Sequence, residues 1–161
     1  MRQFKNISNS PFTSDAAIIL EISSLFPDFD EPLQKLIAGM AGCSPFLHDL
    51  IKKEVTWITK ILKSGSSPEK TITNEVLQSS NISKSLRVAK ARISLWTALQ
   101  DLSGNWKLEE VSKCLSEFAD FSVKVALKYS IESLIAEGQL SKLKNNSDGD
   151  QLGIFILAMG K

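Results

Sequence analysis

Cysteine is scarce in this chain of 161 residues: Cys43 and Cys114 stand alone, without a CxxC pair. That excludes a disulfide-stapled scaffold and a thiolate metal site, and both thiols are expected as small core hydrophobes. Histidine occurs once, as His48. It has no cysteine or second histidine at ligand spacing, so a surface or half-buried helix position is expected for it. Excess charge of one sign is also missing. Nineteen basic and eighteen acidic side chains leave a net charge of +1, which supplies no electrostatic drive toward nucleic acid or an anionic membrane. Long hydrophobic runs are absent too. The longest, Ile154 to Met159, is far too short to span a bilayer. Residues 1–11 lack the apolar core of a signal peptide, and the cytoplasm is the expected compartment.

What is present is a soluble globular composition, 43% hydrophobic and 23% charged, at the size of one domain. Residues 1–13 are polar and expected to be flexible. From there helical signals dominate, and at least five helices are expected. Ser14 or Asp15 can cap a helix that Pro27 stops. A second helix is expected over about Pro32 to Ala41, its end weakened by Gly39 and Gly42. Ser44-Pro45 is a clear helix start. The helix it opens is expected to run unbroken to Lys63, since Leu47, Leu50, Ile51, Val55, Ile58, Ile61 and Leu62 recur at three- and four-residue steps. Ser64-Gly65-Ser66-Ser67-Pro68 forms a loop. Further helices are expected over Glu69 to Gln78, Ser83 to Leu102 and Lys107 to Glu137. The last is apolar over so much of its circumference that packing on two sides is expected. Leu50, Ile58, Leu86, Ile93, Trp96, Leu115 and Phe118 are the expected core. Trp57, Trp96 and Trp106 read as core or rim packing rather than stacking platforms.

The pattern changes after the polar turn Asn145 to Asp150. Leu152 to Met159 is a continuous apolar run, partly β-branched, of the kind that suits a strand buried on both faces of a sheet. A strand needs neighbours for its backbone groups, so this segment is expected to open a sheet that continues beyond Lys161.

Few side chains suggest chemistry. Gly160-Lys161 fails the spacing of a phosphate loop, because six residues rather than four separate Gly153 from Gly160. Glu109, Glu110, Glu117 and Asp120 read as a solvated helix face rather than a magnesium site, which would set aspartates against a phosphate. The cluster Lys84, Arg87, Lys90 and Arg92 reads either as a contact face for ATP phosphate or an acidic partner, or as a solvated face balanced by other helices. No catalytic residue and no metal ligand is expected within the chain.

Several segments together carry a family resemblance. Ser44-Pro45-Phe46-Leu47 resembles a Ser-Pro-aromatic-Leu helix start. Leu86-Arg87, Arg92, Trp96, Asp101-Leu102 and Gly104 resemble a basic helix ending in Arg-Asp-Leu-x-Gly, with Gln100 in place of the arginine. Ile156 to Lys161 resembles the opening strand of a nucleotidyltransferase domain. In this order, over roughly residues 40–161, they resemble the glutamine synthetase adenylyltransferases. In that family the strand leads to Leu-Gly-Gly-Arg-Glu and then Ser-Asp-x-Asp, neither of which occurs here.

The resemblance implies an all-α helical domain over 14–145. One carboxy-terminal β-strand, residues 152–161, would then open a truncated α/β nucleotidyltransferase domain, with Gly160 and Lys161 finishing that strand near the nucleotide site. It implies a parent enzyme that uses ATP and Mg2+ to adenylylate a tyrosine of glutamine synthetase and also removes the AMP by phosphorolysis. A helical lead of this length matches the half that carries removal in the family. Glutamine synthetase and a nitrogen-signalling PII protein are the implied partners. The residues alone leave a second reading open, a non-catalytic helical interaction module.

Overall fold

The computed structural model describes residue 4, residues 7–140 and residues 156–157. Seven helices follow one another among them: α1 (Ala16–Leu25), α2 (Glu31–Cys43), α3 (Pro45–Lys53), α4 (Val55–Ser64), α5 (Glu69–Leu77), α6 (Ile82–Leu102) and α7 (Leu108–Ala136). The described part is therefore all-α. The strand expected over 152–161 lies outside the described residues except for Ile156 and Leu157, which are exposed and in neither helix nor strand.

Short polar side chains begin four of the helices. Asp15, Asp30, Ser44 and Asn81 each accept a backbone N–H from the first turn, satisfying donors that have no partner inside the helix. At α7 the Glu110 carboxylate accepts the Lys107 amide at 2.9 Å instead. Gly104, at φ +76°, closes α6 in a left-handed turn that lets the amides of Asn105 and Trp106 return to the Gln100 carbonyl.

Three expectations need correction. The helix opened by Ser44-Pro45 is not continuous to Lys63. It bends at Glu54, where φ −111° and ψ +20° separate α3 from α4. Hydrogen bonds persist on both sides, from the Glu54 amide to Leu50 and from the Ile58 amide to Glu54. No proline or glycine marks the bend. Glu54 is instead held from α6 by Arg92 at 2.9 Å, a long-range tie that periodicity cannot show.

Second, α2 does not end near Ala41 but runs on through Gly42 to Cys43. The segment preceding α1 crosses the helix at those two positions. Cys43 at its end is exposed rather than in the core.

Third, the described residues pack on one side of α7 rather than two. No residue of it is buried. Cys114, Phe118, Phe121 and Val125 rest on the cluster of Ile72, Val76, Ala89 and Ile93. Leu108, Leu115, Val123, Tyr129 and Leu134 stay exposed. Of the expected core, Leu50, Ile58, Ile93 and Trp96 are buried, Leu86 and Phe118 are half-buried, and Leu115 is exposed.

The centre of the domain is α2, whose Leu33, Leu36, Ile37, Ala38, Met40 and Ala41 are enclosed. It meets α1, α3 and the second half of α6. There Leu95, Trp96 and Leu99 join a core with Ile22, Phe26, Ile51, Ile58 and Leu62. Helix α6 thus serves two clusters, the second beneath α5 and α7.

Candidate functional site

The basic residues of α6 do not form one face. Lys84 and Arg92 line a groove of about 310 Å³ between α5 and α6, with Glu75, Ser79 and Asn81. Arg87 folds back onto its own helix, donating to the Ser83 carbonyl and hydroxyl at 3.2 and 3.3 Å. Lys90 lies two residues from Arg92, so it projects about 160° away around the helix.

Arg92 bridges two carboxylates. It donates Nε–H to Glu54 and Nη1–H to Glu75, both at 2.9 Å. Its guanidinium carbon lies 5.5 Å from the centre of the Trp57 ring, within cation–π range. This clamp ties α3–α4, α5 and α6 together. Sequence reasoning singled out Arg92 but missed Glu54 and Glu75. A signal existed for Glu54. It lies four residues from both Leu50 and Ile58, inside an apolar stripe, where a carboxylate requires a partner.

A wider groove of about 700 Å³ opens where α5, α6 and α7 meet. Ile93, Cys114 and Phe118 form its apolar part, and Glu69, Lys70, Lys113 and Glu117 its charged part. Burial pushes the Cys114 thiol pKa up, against the opposing effect of the Thr97 hydroxyl, which donates to its sulfur at 3.6 Å. The thiol is held protonated, a poor nucleophile. Glu69 accepts the Trp96 indole N–H at 2.9 Å.

His48 is half-buried and belongs to a third polar group. Its Nε2 lies 2.6 Å from Glu21, whose other oxygen is 2.8 Å from the Lys52 ammonium. The Lys52 hydrogen bond, followed by that of His48, holds the Glu21 pKa below 4.5. A carboxylate pKa lowered by folding stabilises above its unfolded value, and the benefit fades as pH falls through the lowered one. Glu21→Gln is therefore expected to lower stability at about pH 7 and to flatten its decline below about pH 4.5. Urea midpoints measured across that range test this, and an unchanged profile would remove Glu21 from the account.

Nucleotide chemistry would need phosphate and magnesium ligands. Among the described residues no three His, Cys, Asp or Glu side chains converge as a metal site. Glu110 caps its helix, and Glu117 lies 3.8 Å from Lys113. Arg92 is occupied by two carboxylates. The described residues do not fit Mg2+ with ATP, and Gly160 and Lys161 lie outside them. No described helix is long and apolar enough to cross a membrane.

These features define a helical domain whose polar groups clamp helices to one another and whose grooves carry no metal cluster among the described residues. The chain belongs to the glutamate-ammonia ligase adenylyltransferase family, whose sequence model matches residues 33–161. The match begins in α2, earlier than the resemblance read from motifs. Three similar proteins carry the name bifunctional glutamine synthetase adenylyltransferase/adenylyl-removing enzyme. That of a Bradyrhizobium species is 26% identical over 138 residues, 80% of this chain and 14% of its own length. That of Caulobacter vibrioides is 29% identical over 134 residues, 78% and 13% of the two chains. That of Rhodopseudomonas palustris is 27% identical over 160 residues, 94% and 16%. The chain thus spans only 13–16% of the length of these relatives. No solved structure matches it.

Proposed function

We propose that the chain is the amino-terminal helical part of a cytoplasmic enzyme that adenylylates and deadenylylates a tyrosine of glutamine synthetase, and that it serves the half responsible for removal. Lys84 and Lys90 offer basic contacts from different sides of α6, Arg87 and Arg92 being turned to partners within the domain, and residues 160 and 161 finish a strand near the nucleotide. ATP and Mg2+ are cofactors of the complete enzyme, and glutamine synthetase and a PII protein its partners. The observation that carries this reading is the family match over residues 33–161, from the core helix α2 onward.

The described residues build scaffold and surface rather than a reaction centre, so residues 1–161 alone are expected to be inactive. Transfer of a phosphate-linked group depends on carboxylate-held metal that neutralises phosphate charge, and the described residues bring no such cluster together. The test compares purified residues 1–161 with a chimera in which they replace the matching segment of the Rhodopseudomonas palustris enzyme. The expected result is no Mg2+-dependent transfer or phosphorolysis by the first, and removal of AMP from glutamine synthetase by the second. Turnover by residues 1–161 alone, or a folded chimera with neither activity, would overturn the proposal.

A second reading, a helical docking module without chemistry, is favoured by the side of α7 that the other described residues leave uncovered. From Ser112 to Leu134 that side carries Leu115, Ala119, Val123, Ala126 and Leu127 with no charge between them in the arc, a surface suited to another apolar face.

A further inference from the structure

Residues 7–13 precede α1 without helix or strand, yet they are seated at separated points. Phe4 is buried and meets Trp96 edge-on, with ring centres 6.1 Å apart. The Ser8 amide donates to the Ser103 carbonyl at 3.1 Å, at the end of α6. The Pro11 carbonyl occupies the space where a β-carbon on residue 39 would stand, its carbon atom 2.7 Å from that position. Thr13 fills the corresponding space at residue 42, its Cβ 2.5 Å from it. The Ser8 side chain fills a third such space beside Gly104.

Glycine weakens a helix interior relative to alanine. Two glycines within four residues of α2 are therefore a local weakness with a visible use. They let a second backbone lie directly on the helix, which any side chain at 39 or 42 would prevent. The seating is nevertheless discontinuous. Phe12 is 83% exposed, and Asn9 and Ser10 are exposed as well. The segment is held by the Phe4 anchor, half-buried Ile7, the Ser8–Ser103 hydrogen bonds, the Cys43 thiol donating to the Phe12 carbonyl at 3.6 Å and three notches, but it has no helical or strand pairing of its own, so it can open at less cost than the helices beneath it.

We infer that Trp96, the end of α6 and the Gly39–Gly42 face of α2 form a groove for a non-helical, aromatic-anchored peptide, that Phe4 and residues 7–13 occupy it in cis, and that this strap detaches while the helices stay folded. Nothing in the family match covers the strap, which precedes residue 33. The groove is closed to any competing peptide until the strap leaves, because a tethered segment acts at an effective concentration of about millimolar.

The test uses the full chain. In Phe4→Ala, the Ser8 amide is expected to exchange at least about ten-fold faster while amides of α2 and α6 keep their protection. A labelled peptide of residues 1–13 should bind this variant saturably, and bind the unaltered chain at least about ten-fold more weakly because the strap competes. Adding Gly39→Ala should abolish binding and leave the helical circular dichroism intact, since alanine favours the helix itself. No saturable binding to Phe4→Ala at about millimolar peptide, or equal binding after Gly39→Ala, overturns the proposal. If Phe4→Ala does not fold, native-state exchange on the unaltered chain decides. Ser8 opening at lower denaturant than α2 and α6 supports detachment, and opening together with them overturns it.

Discussion

Trp96→Ala is expected to destabilise the domain by about 3–5 kcal/mol, a large part of the roughly 5–15 kcal/mol typical of a native domain. Trp96 is 1% exposed and is the largest enclosed side chain. Phe4 meets its ring edge-on at 6.1 Å and Trp106 at 6.4 Å with the planes perpendicular, the arrangement that aromatic quadrupoles favour. Its indole N–H reaches Glu69, binding the start of α5 to α6. Truncation leaves a cavity where the amino-terminal strap, α6 and the α6–α7 turn meet. Trp96→Phe separates the contributions. It keeps most of the ring packing and removes the hydrogen bond to half-buried Glu69, so a loss of about 1–2 kcal/mol is expected. Urea unfolding of the two variants measures both. Equal losses would assign the effect to the hydrogen bond rather than to packing.

Arg92→Ala is expected to cost about 2–4 kcal/mol. The reason is what it leaves behind. The Glu54 side chain is only 16% exposed, and without Arg92 its charge stands unpaired at the bend between α3 and α4. Arg92→Lys should recover little, because an ammonium cannot address Glu54 and Glu75 through a planar fork while lying over Trp57. Double-mutant cycles give a sharper result. Coupling of Arg92 to Glu54 should reach about 1–3 kcal/mol, whereas coupling to Glu75, whose side chain is 52% exposed, should stay at about 0.2–1 kcal/mol. The reverse order would mean that Glu75 carries the clamp and that the bend at Glu54 has another cause.

Much of this arrangement was legible in the residues. Asp15 and Ser44 announce helix starts because a short acceptor beside unpaired amides acts locally. The apolar stripe of α6 located Ile93 and Trp96 in the core, since a helix fixes which side chains share a face. The ordered motifs from Ser44 to Lys161 pointed to the family that the comparison then established. The candidate site was less legible. Periodicity marked Lys84, Arg87, Lys90 and Arg92 as neighbours in sequence, but a helix turns them in different directions. Arg92 found its carboxylates 38 and 17 residues away.

The sequence by itself determined the bounds of most helices, because capping, turn chemistry and periodicity operate within a few residues, and its ordered motifs pointed to the family. The tertiary structure alone decided three things: that α3 and α4 part at Glu54, that the glycines of α2 receive the segment before α1, and which side of α7 the other described helices cover. Each depends on groups brought together across the chain. Stripe width shows how much of a helix is apolar, but only the positions of the other helices decide which part of it is covered.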